Sequence, residues 1–269
     1  INTYSISYTG TRQFYLVLFL LLCYTYLNST QSEVFYMDSS IPPIIEVSNV
    51  SKSYGRKQIL TSISFQAAQG ECIGILGVNG CGKSTLLAIL AGCLRADGGT
   101  ICFRGNQAIK KQDFLSMAGY VPQENPLFSS LTVLDNLRYF YASSPIPLKH
   151  DLADGIPYLF GLDSCLRAKV KHLSGGMKRR LVLACALACH PPVLILDEPG
   201  ASLDFVCKED IRQYLSLYRK QGGTIVITSH EQSEISLCSR LFLLEHGSLS
   251  SLEAQTDTAF LTERMRCHE

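Results

Sequence analysis

The segment 77–84 constrains the fold of this chain more than any other part of its sequence. It reads GVNGCGKS and matches the pattern GxxxxGKS/T completely. The apolar run ECIGIL at 71–76 leads directly into it, and the helical run STLLAILA at 84–91 follows it. This order predicts a strand, a phosphate-binding loop and a helix, which are parts of a nucleotide-binding α/β fold.

The residue types in the loop 77–84 explain how it would bind a nucleotide. Glycines let backbone N–H groups converge on phosphate oxygens, and the N-terminus of the following helix adds partial positive charge. Lys83 can reach the β- and γ-phosphates, and the Ser84 hydroxyl can coordinate Mg2+. The predicted nucleotide contacts from this segment are Gly77, Val78, Asn79, Gly80, Cys81, Gly82, Lys83, Ser84 and Thr85.

Cys81 has a second possible consequence because it lies beside Lys83 and a helix N-terminus, and both features lower the pKa of a thiol. Alkylation of this thiol is then expected to inhibit ATP binding, and ATP is expected to protect it. The alternative is an occluded, unreactive cysteine.

Two carboxylates follow another apolar run in the second half of the chain. Residues 193–198 read VLILDE, which is typical of a buried strand that ends in acids. Asp197 is predicted to hold Mg2+ through a water molecule, and Glu198 is predicted to polarise the attacking water. Since acids after apolar strands are common, this prediction depends on the pairing with the loop 77–84.

Residues 173–177 read LSGGM and precede a helix expected over 178–188. Together with the motifs above, they resemble the ABC family, whose diagnostic signature is LSGG, over about residues 37–247. The resemblance implies a second phosphate-binding surface at a helix N-terminus, formed by Ser174, Gly175 and Gly176. In this family two domains pair head to tail, so each ATP lies between the loop of one domain and the signature of the other. Hydrolysis removes γ-phosphate contacts and the pair opens.

The resemblance gives roles to four further residues, which occur in the family's order. Tyr54 matches the aromatic residue that stacks on adenine, and Gln123 matches the glutamine that contacts magnesium and the attacking water. Asp204 belongs to a loop that crosses the dimer interface, and His230 matches the histidine that contacts the γ-phosphate. The predicted catalytic residues are therefore Glu198, His230 and Gln123, and the predicted magnesium contacts are Ser84, Gln123 and Asp197.

The fold class expected from these features is α/β. It is a P-loop NTPase with a RecA-like parallel-sheet core, an antiparallel β-subdomain and an ABC-type α-helical subdomain at about 124–187. A hairpin is predicted around the turn at 53–57, and helical spacing is predicted between 132 and 187. The predicted strands are 44–50, 59–65, 71–76, 98–105, 117–122, 193–196, 224–228 and, as the last one, 241–244, with a helix at 208–220.

The predicted ABC ATP-binding domain covers residues 37–269, and residues 1–36 are predicted to be an apolar extension outside the fold. Residues 14–27 read FYLVLFLLLCYTYL. This run is shorter than the roughly 20 apolar residues that a spanning helix needs. An upstream extension is the favoured interpretation, and a short membrane-associating anchor is the alternative.

Composition excludes several classes of protein. With 46% hydrophobic and 17% charged residues the chain can bury a core, so disorder is excluded. A formal net charge of +1 lacks the electrostatic footprint of a nucleic-acid-binding protein. The 11 cysteines contain no CxxC pair and no metal-ligand spacing, so they indicate a reducing cytoplasm.

The combined pattern predicts an ATP-hydrolysing motor subunit of an ABC transporter, at the cytoplasmic face of the cell membrane. Met177 stands where the family usually has glutamine, and Gly200 where it usually has threonine. The sequence MKRR at 177–180 and LTVLDNL at 131–137 resemble the branch that exports drugs, polysaccharides or lipids.

The expected partners are a separate transmembrane permease subunit and a second ABC ATPase domain. The permease is expected because no apolar segment of spanning length follows residue 27, and its contact surface is predicted near 124–128. Two alternatives stay open: a soluble ABC-type ATPase acting in DNA repair or translation, and a degenerate subunit that senses ATP without hydrolysing it. The second is disfavoured because Lys83, Asp197, Glu198 and His230 are all present.

Overall fold

A computed structural model of the chain describes residues 42–108, 111–201 and 203–252. The predicted extension at 1–36 lies outside the described residues. Within the described part of the chain, ten strands form two sheets, one mostly parallel and one antiparallel. The α/β class and its two kinds of sheet are therefore confirmed.

The larger sheet has six strands in the order β10-β9-β3-β8-β7-β6. The five strands from β9 to β6 run parallel, and β10 pairs antiparallel with β9. Because parallel strands share one direction, the segments that follow β3, β6, β7 and β8 all emerge at one edge of the sheet. The strands are β3 Cys72–Leu76, β6 Ala118–Val121, β7 Val193–Asp197, β8 Thr224–Thr228, β9 Arg240–Glu245 and β10 Ser248–Leu252.

Both faces of this sheet are covered, as the side chains of β7 demonstrate. Leu194 and Leu196 belong to a core with the helical region, whereas Val193 and Ile195 belong to a core with the antiparallel sheet and the helix after the phosphate-binding loop. Successive side chains of a strand point to opposite faces, so a strand buried on both sides is apolar throughout. That is why 193–196 reads as a continuous apolar run rather than an alternating one.

The second sheet is antiparallel and has the order β2-β1-β4-β5. Strands β1 and β2 form the predicted hairpin, which closes at the pair Tyr54 and Lys57. The hairpin thus places Tyr54 at the tip of the sheet. The strands are β1 Ile45–Tyr54, β2 Lys57–Ala67, β4 Gly98–Phe103 and β5 Asn106–Gln107.

Helices fill the region between β6 and β7, as the spacing of apolar residues predicts. Side chains cap several of them: Thr132 and Asp135 form a reciprocal capping box at α3, and Asp204 accepts from the backbone of Cys207 at α7. The helices are α1 Lys83–Leu90, α2 Lys111–Met117, α3 Val133–Phe140, α4 Leu148–Asp154, α5 Ile156–Leu159, α6 Gly175–Leu187, α7 Phe205–Lys220 and α8 Gln232–Ile235.

Several strand predictions need correction. The strand predicted at 98–105 ends at Phe103, and those predicted at 44–50 and 59–65 extend to Tyr54 and Ala67. The predicted strand at 117–122 begins one residue later, because Met117 ends helix α2. The strand at 241–244 is not the last, because β10 follows it. Residues 248–252 read SLSSL and form an edge strand with no buried residue, so they lack the apolar pattern that would reveal them.

In the part of the chain that the structure describes, none of the helices combines the length and the apolar character needed to cross a bilayer.

Candidate functional site at the carboxyl edge of the parallel sheet

The loop after β3 holds a buried lysine inside its own backbone. Lys83 is 6% exposed, and its Nζ donates to the carbonyl oxygens of Gly77 at 2.6 Å and Val78 at 3.1 Å. Gly82, just before helix α1, has a φ of 113°, which favours glycine. The loop therefore concentrates a positive charge at the N-terminus of α1.

Close packing also restricts residue 77. A Cβ atom on Gly77 would lie 2.5 Å from the backbone oxygen of Leu244 and 2.7 Å from Cys81 Sγ. Since Leu244 belongs to β9, which pairs with β3, its backbone cannot retreat without breaking the sheet. Only glycine fits at this position.

The end of β8 holds both Asp197, the last residue of β7, and Glu198, which follows it. Asp197 is 2% exposed, and its Oδ1 accepts a 2.7 Å hydrogen bond from Thr228 Oγ1. The backbone N–H of Glu198 donates to the Thr228 carbonyl oxygen at 3.0 Å. Glu198 has a φ of 47°, a conformation that is unfavourable for a residue with a side chain and persists only where surrounding contacts hold it.

The structure brings the three predicted catalytic residues together. Gln123 Nε2 donates to Glu198 Oε2 at 3.3 Å, and His230 Nε2 lies 3.4 Å from Glu198 Oε1. Gln123 follows β6, Glu198 follows β7 and His230 follows β8. Each oxygen of the Glu198 carboxylate therefore contacts a side chain from a neighbouring strand end.

Arg179, in helix α6, forms hydrogen bonds with the segments that follow β6 and β7. It is 4% exposed and donates five hydrogen bonds, all to backbone carbonyl oxygens. Burial lowers the pKa of the guanidinium, and the nearby carboxylate of Glu234 opposes that effect. The acceptors are Pro122 at 2.6 Å, Gln123 at 3.4 Å, Asp197 at 2.9 Å, Glu198 at 3.1 Å and Pro199 at 2.9 Å.

Glu234 explains one departure from the family pattern. Its carboxylate is buried, accepts from the Ser229 hydroxyl, and has a pKa raised mainly by burial. A Cβ atom on Gly200 would lie 2.5 Å from Glu234 Oε1. Glycine at position 200 therefore leaves room for this carboxylate. Nothing in the structure explains Met177 in the same way.

The LSGG segment forms the first turn of α6. The Ser174 hydroxyl accepts from the backbone N–H of Met177 at 3.2 Å and so caps the helix. A Cβ atom on Gly175 would meet nothing within 4 Å, whereas one on Gly176 would lie 3.7 Å from Asp204 Oδ2. Asp204 is thus adjacent to the helix start.

No described hydrogen bond or ion pair joins Ser174, Gly175 or Gly176 to the loop 77–84, within residues 42–108, 111–201 and 203–252. The structure thus brings together only part of the predicted site.

Tyr54 lies at the hairpin tip and is 52% exposed. Lys52 Nζ stands 5.8 Å from the centre of its ring. Asp97 accepts from Lys52 Nζ and from the backbone N–H of Ser53, each at 2.7 Å, and these bonds lower the pKa of its carboxyl. The strand end before Tyr54 is therefore tied to the β4 side of the sheet.

Comparison with known proteins settles the family. A family model described as ABC transporter matches residues 60–201, more than half of the chain. The chain belongs to the ABC transporter family. Its fold and its membership make it an ABC-type ATPase, as the LSGG segment and the loop 77–84 predict.

Several curated relatives of this ABC ATPase carry names of export systems. Nod factor export ATP-binding protein I of Sinorhizobium fredii is 41% identical over 76% of this chain and 60% of its own length. The chain therefore spans less than two thirds of that relative. Linearmycin resistance ATP-binding protein LnrL of Bacillus subtilis is 33% identical over 80% of this chain and 70% of its own length.

Solved structures support the same fold. The dimeric structure of a bacterial ABC transporter cassette has a TM-score of 0.70 at 25% identity and covers 78% of this chain and 99% of its own. The structure of cbiO1 from Clostridium perfringens, part of an ABC transporter complex, has a TM-score of 0.68 at 27% identity. It covers 84% of this chain and 94% of its own.

The expectation of a lowered thiol pKa at Cys81 is wrong. Partial burial raises the pKa of this thiol, and the nearby Lys83 charge only offsets part of the effect. The occluded alternative describes Cys81 better, since its Sγ packs against Gly77.

Sequence reasoning missed Arg179, Thr228 and Glu234. Arg179 had a detectable signal: with helical spacing it lines up with Val182 and Leu183, which are both buried, so a charge interrupts an apolar face. Thr228 and Glu234 carried no comparable signal. Thr228 bonds to Asp197 on another strand, and Glu234 lies against Gly200, which is distant in the sequence.

Proposed function

We propose that this ABC ATPase is the motor subunit of an exporter and that ATP-dependent pairing and hydrolysis drive transport. The observation that carries the proposal is the Glu198 carboxylate, held by Gln123 on one oxygen and His230 on the other. The loop with Lys83 emerges at the same edge of the sheet. A nucleotide in that loop would have its terminal phosphate at this edge.

The proposed chemistry follows from this geometry. Glu198 accepts a proton from the attacking water as general base, and Gln123 and His230 restrict its carboxylate to one orientation. Lys83 stabilises the negative charge on the transferred phosphoryl group. The buried carboxylate of Asp197, fixed by Thr228, lies one residue before the base and keeps a stable position.

The residues present fit magnesium. Ser84, Asp197 and Gln123 offer a hydroxyl, a carboxylate and an amide oxygen, which are the hard oxygen ligands this ion prefers. Gln123 uses its Nε2 on Glu198, so its Oε1 is available for the ion. When bound with ATP, magnesium neutralises charge that develops on the phosphate oxygens.

The nucleotide is proposed to lie between two ABC domains. Ser174, Gly175 and Gly176 would contact the ATP that the second domain holds, and open space around Gly175 supports this role. Beside them, Phe205 is 81% exposed and Val206 is 64% exposed, although both are large and apolar. Asp204 would cross this interface, and Tyr54 would stack on the adenine.

The permease is proposed to dock beside the segment that follows Gln123. Phe128 is 41% exposed there, and its ring lies 5.0 Å from that of Tyr139, which is 63% exposed. Asn136 accepts from the Phe128 backbone N–H and so fixes this surface on helix α3. Leu127, by contrast, packs partly into the core.

The wider assignments belong to the same proposal. Residues 37–269 form the ATPase domain, with a helical subdomain at about 124–187, and the chain works at the cytoplasmic face of a membrane. Relatives named for Nod factor export and linearmycin resistance support the export direction.

Glu198→Gln tests the catalytic part. We expect turnover to fall at least about 100-fold, because the amide cannot accept the proton, while ATP binding persists. Size-exclusion chromatography with ATP is expected to reveal a dimer in this variant. Glu209→Gln, which alters a half-buried carboxylate that pairs with Arg212 on α7, is the matched control and should behave as wild type.

The outcomes separate the alternatives. Full turnover in Glu198→Gln would rule out Glu198 as the base, and a monomer that binds ATP would rule out pairing by ATP alone. If wild-type chain binds ATP but no membrane subunit stimulates its turnover, the soluble ABC-type ATPase is the better description.

A further inference from the structure

Arg179 is buried at the centre of the site, although a buried charge is costly unless it is well compensated. Its fork of N–H groups reaches carbonyl oxygens of two separate segments, 122–123 and 197–199. Those segments contain Gln123 and Glu198. An arginine that served only to fill space would be replaced by an apolar residue at lower cost.

The Arg179 guanidinium provides one of two hydrogen bonds that hold the backbone of Glu198. On one side, the Glu198 N–H donates to the carbonyl oxygen of Thr228; on the other side, the Glu198 carbonyl accepts from Arg179 Nη2. The residue between these bonds has a φ of 47°. That conformation is unfavourable, and the two bonds help to hold it.

Arg179 also lies on α6, whose first turn is the signature segment. Ser174 caps the helix five residues earlier, and α6 is continuous from Gly175 to Leu187. A helix is stiff over such a length, so a displacement of its first turn moves the guanidinium as well. Arg179 thereby connects the surface proposed to contact the partner domain's ATP with the segments that orient the base.

We propose that Arg179 is a positioning residue. It holds Gln123 and Glu198 in the relative positions that water attack needs, and it couples those positions to the helix that begins at the signature segment. The inference rests on the proposed function. It predicts that Arg179 contributes to turnover and not to nucleotide binding, since Lys83 and the loop 77–84 make no described contact with it.

The experiment compares Arg179→Gln and Arg179→Lys with wild type in the 269-residue chain. Glutamine removes the charge and most of the donors. Lysine keeps a charge near Glu234 but cannot bond to both segments with a planar fork. Arg212→Gln is the matched control, because in the described part of the chain the Arg212 side chain donates only to the half-buried Glu209 on the same helix.

Four quantities are measured: kcat and KM for ATP, Kd for MgATP, and amide hydrogen exchange of peptides covering 120–126, 196–200 and 77–90. We expect kcat to fall about 10- to 100-fold in both Arg179 variants, with KM and Kd within about 2-fold of wild type. Exchange should rise at 120–126 and 196–200 and stay unchanged at 77–90. The control should match wild type throughout.

The outcomes distinguish this inference from the proposed function. If the wild-type chain binds ATP but does not hydrolyse it, the proposed function fails. Amide hydrogen exchange at 120–126 and 196–200 then still tests whether Arg179 positions these segments. Wild-type kcat in Arg179→Gln, unchanged exchange at 120–126, or full recovery of kcat by lysine would each overturn the inference. A uniform rise of exchange across all three peptides would show a merely structural role and would overturn it too.

Discussion

The two regions proposed to contact phosphate differ in how many contacts they make within the chain. At the carboxyl edge of the parallel sheet, Lys83 and Asp197 are buried and bonded, and Glu198 contacts two side chains from neighbouring strand ends. At the start of α6, Ser174 is exposed and Gly175 faces open space. The first region has its partners within the chain, and the second presents an open surface.

The two regions should therefore respond differently to substitution. A change that adds atoms at Gly77 meets backbone that cannot move, so it should lower both stability and nucleotide binding in the single chain. Glu198→Gln adds no atoms there, so it should lower turnover and leave ATP binding unchanged. A change at Gly175 meets nothing within 4 Å in the chain, so its effect should emerge when two domains pair. A change at Ser174 also removes a helix cap, so it should lower the stability of the single chain as well.

The largest effect is expected for Gly77→Ala. The new methyl group would approach the Leu244 oxygen to 2.5 Å, and overpacking of this kind costs about 1–3 kcal/mol. We expect the unfolding temperature to fall by several degrees and ATP affinity to fall at least about 10-fold. Differential scanning fluorimetry and a fluorescent-nucleotide titration would measure both.

Gly80→Ala is the matched control for Gly77→Ala. Gly80 also has a positive φ, of 77°, but nothing lies within 4 Å of the position of its Cβ. It should cost only the backbone strain of about 1–2 kcal/mol. Equal losses of unfolding temperature and ATP affinity in the two variants would mean that backbone strain, and not the contact with β9, restricts the loop. The backbone of β9 would then be able to move away from a side chain at position 77.

A smaller effect is expected for Ser174→Ala in the Glu198→Gln background. Loss of the cap costs about 0.5–2 kcal/mol, but ATP binding by the single chain should be unchanged. The ATP-dependent dimer should weaken, because the serine hydroxyl is proposed to contact the second domain's ATP. Analytical ultracentrifugation with and without ATP would measure this.

Thr132→Ala removes a cap from α3, with a comparable expected cost, at a helix that does not carry the signature. If it weakens the dimer as much as Ser174→Ala does, the α6 surface has no special part in pairing. The open surface at the start of α6 would then not be the surface through which two domains pair.

The contrast also explains how far the sequence could predict the structure. Lys83, Asp197 and Glu198 each follow an apolar run, and a local pattern of that kind is visible in one sequence. Parallel strands then bring such residues to one edge. The contact of Gln123 with Glu198 depends on β6 and β7 being neighbours, which no local pattern encodes and which only the family resemblance supplied.

Local patterns could not predict other contacts and elements, although the helical spacing does place Arg179 on an apolar face. Arg179 bonds to backbone oxygens, and a carbonyl is the same whatever residue carries it, so the sequence cannot identify the acceptors. Glu234 reaches Gly200 from a different segment. β10 is polar because one sheet edge is exposed. In each case the missing information is spatial.

The smallest effect concerns Cys81, in the loop 77–84 at the carboxyl edge of the sheet. Because partial burial raises the pKa of its thiol, little thiolate is present near neutral pH, and iodoacetamide should label Cys81 more slowly than the exposed Cys93. Raising the pH should accelerate labelling of Cys81, since the thiolate is the nucleophile. Peptide mass spectrometry over time would follow both sites. If Cys81 were labelled first at neutral pH, the loop 77–84 would be more open and more electropositive than the packing of Cys81 against Gly77 indicates. The carboxyl edge of the sheet would then not be a closed region.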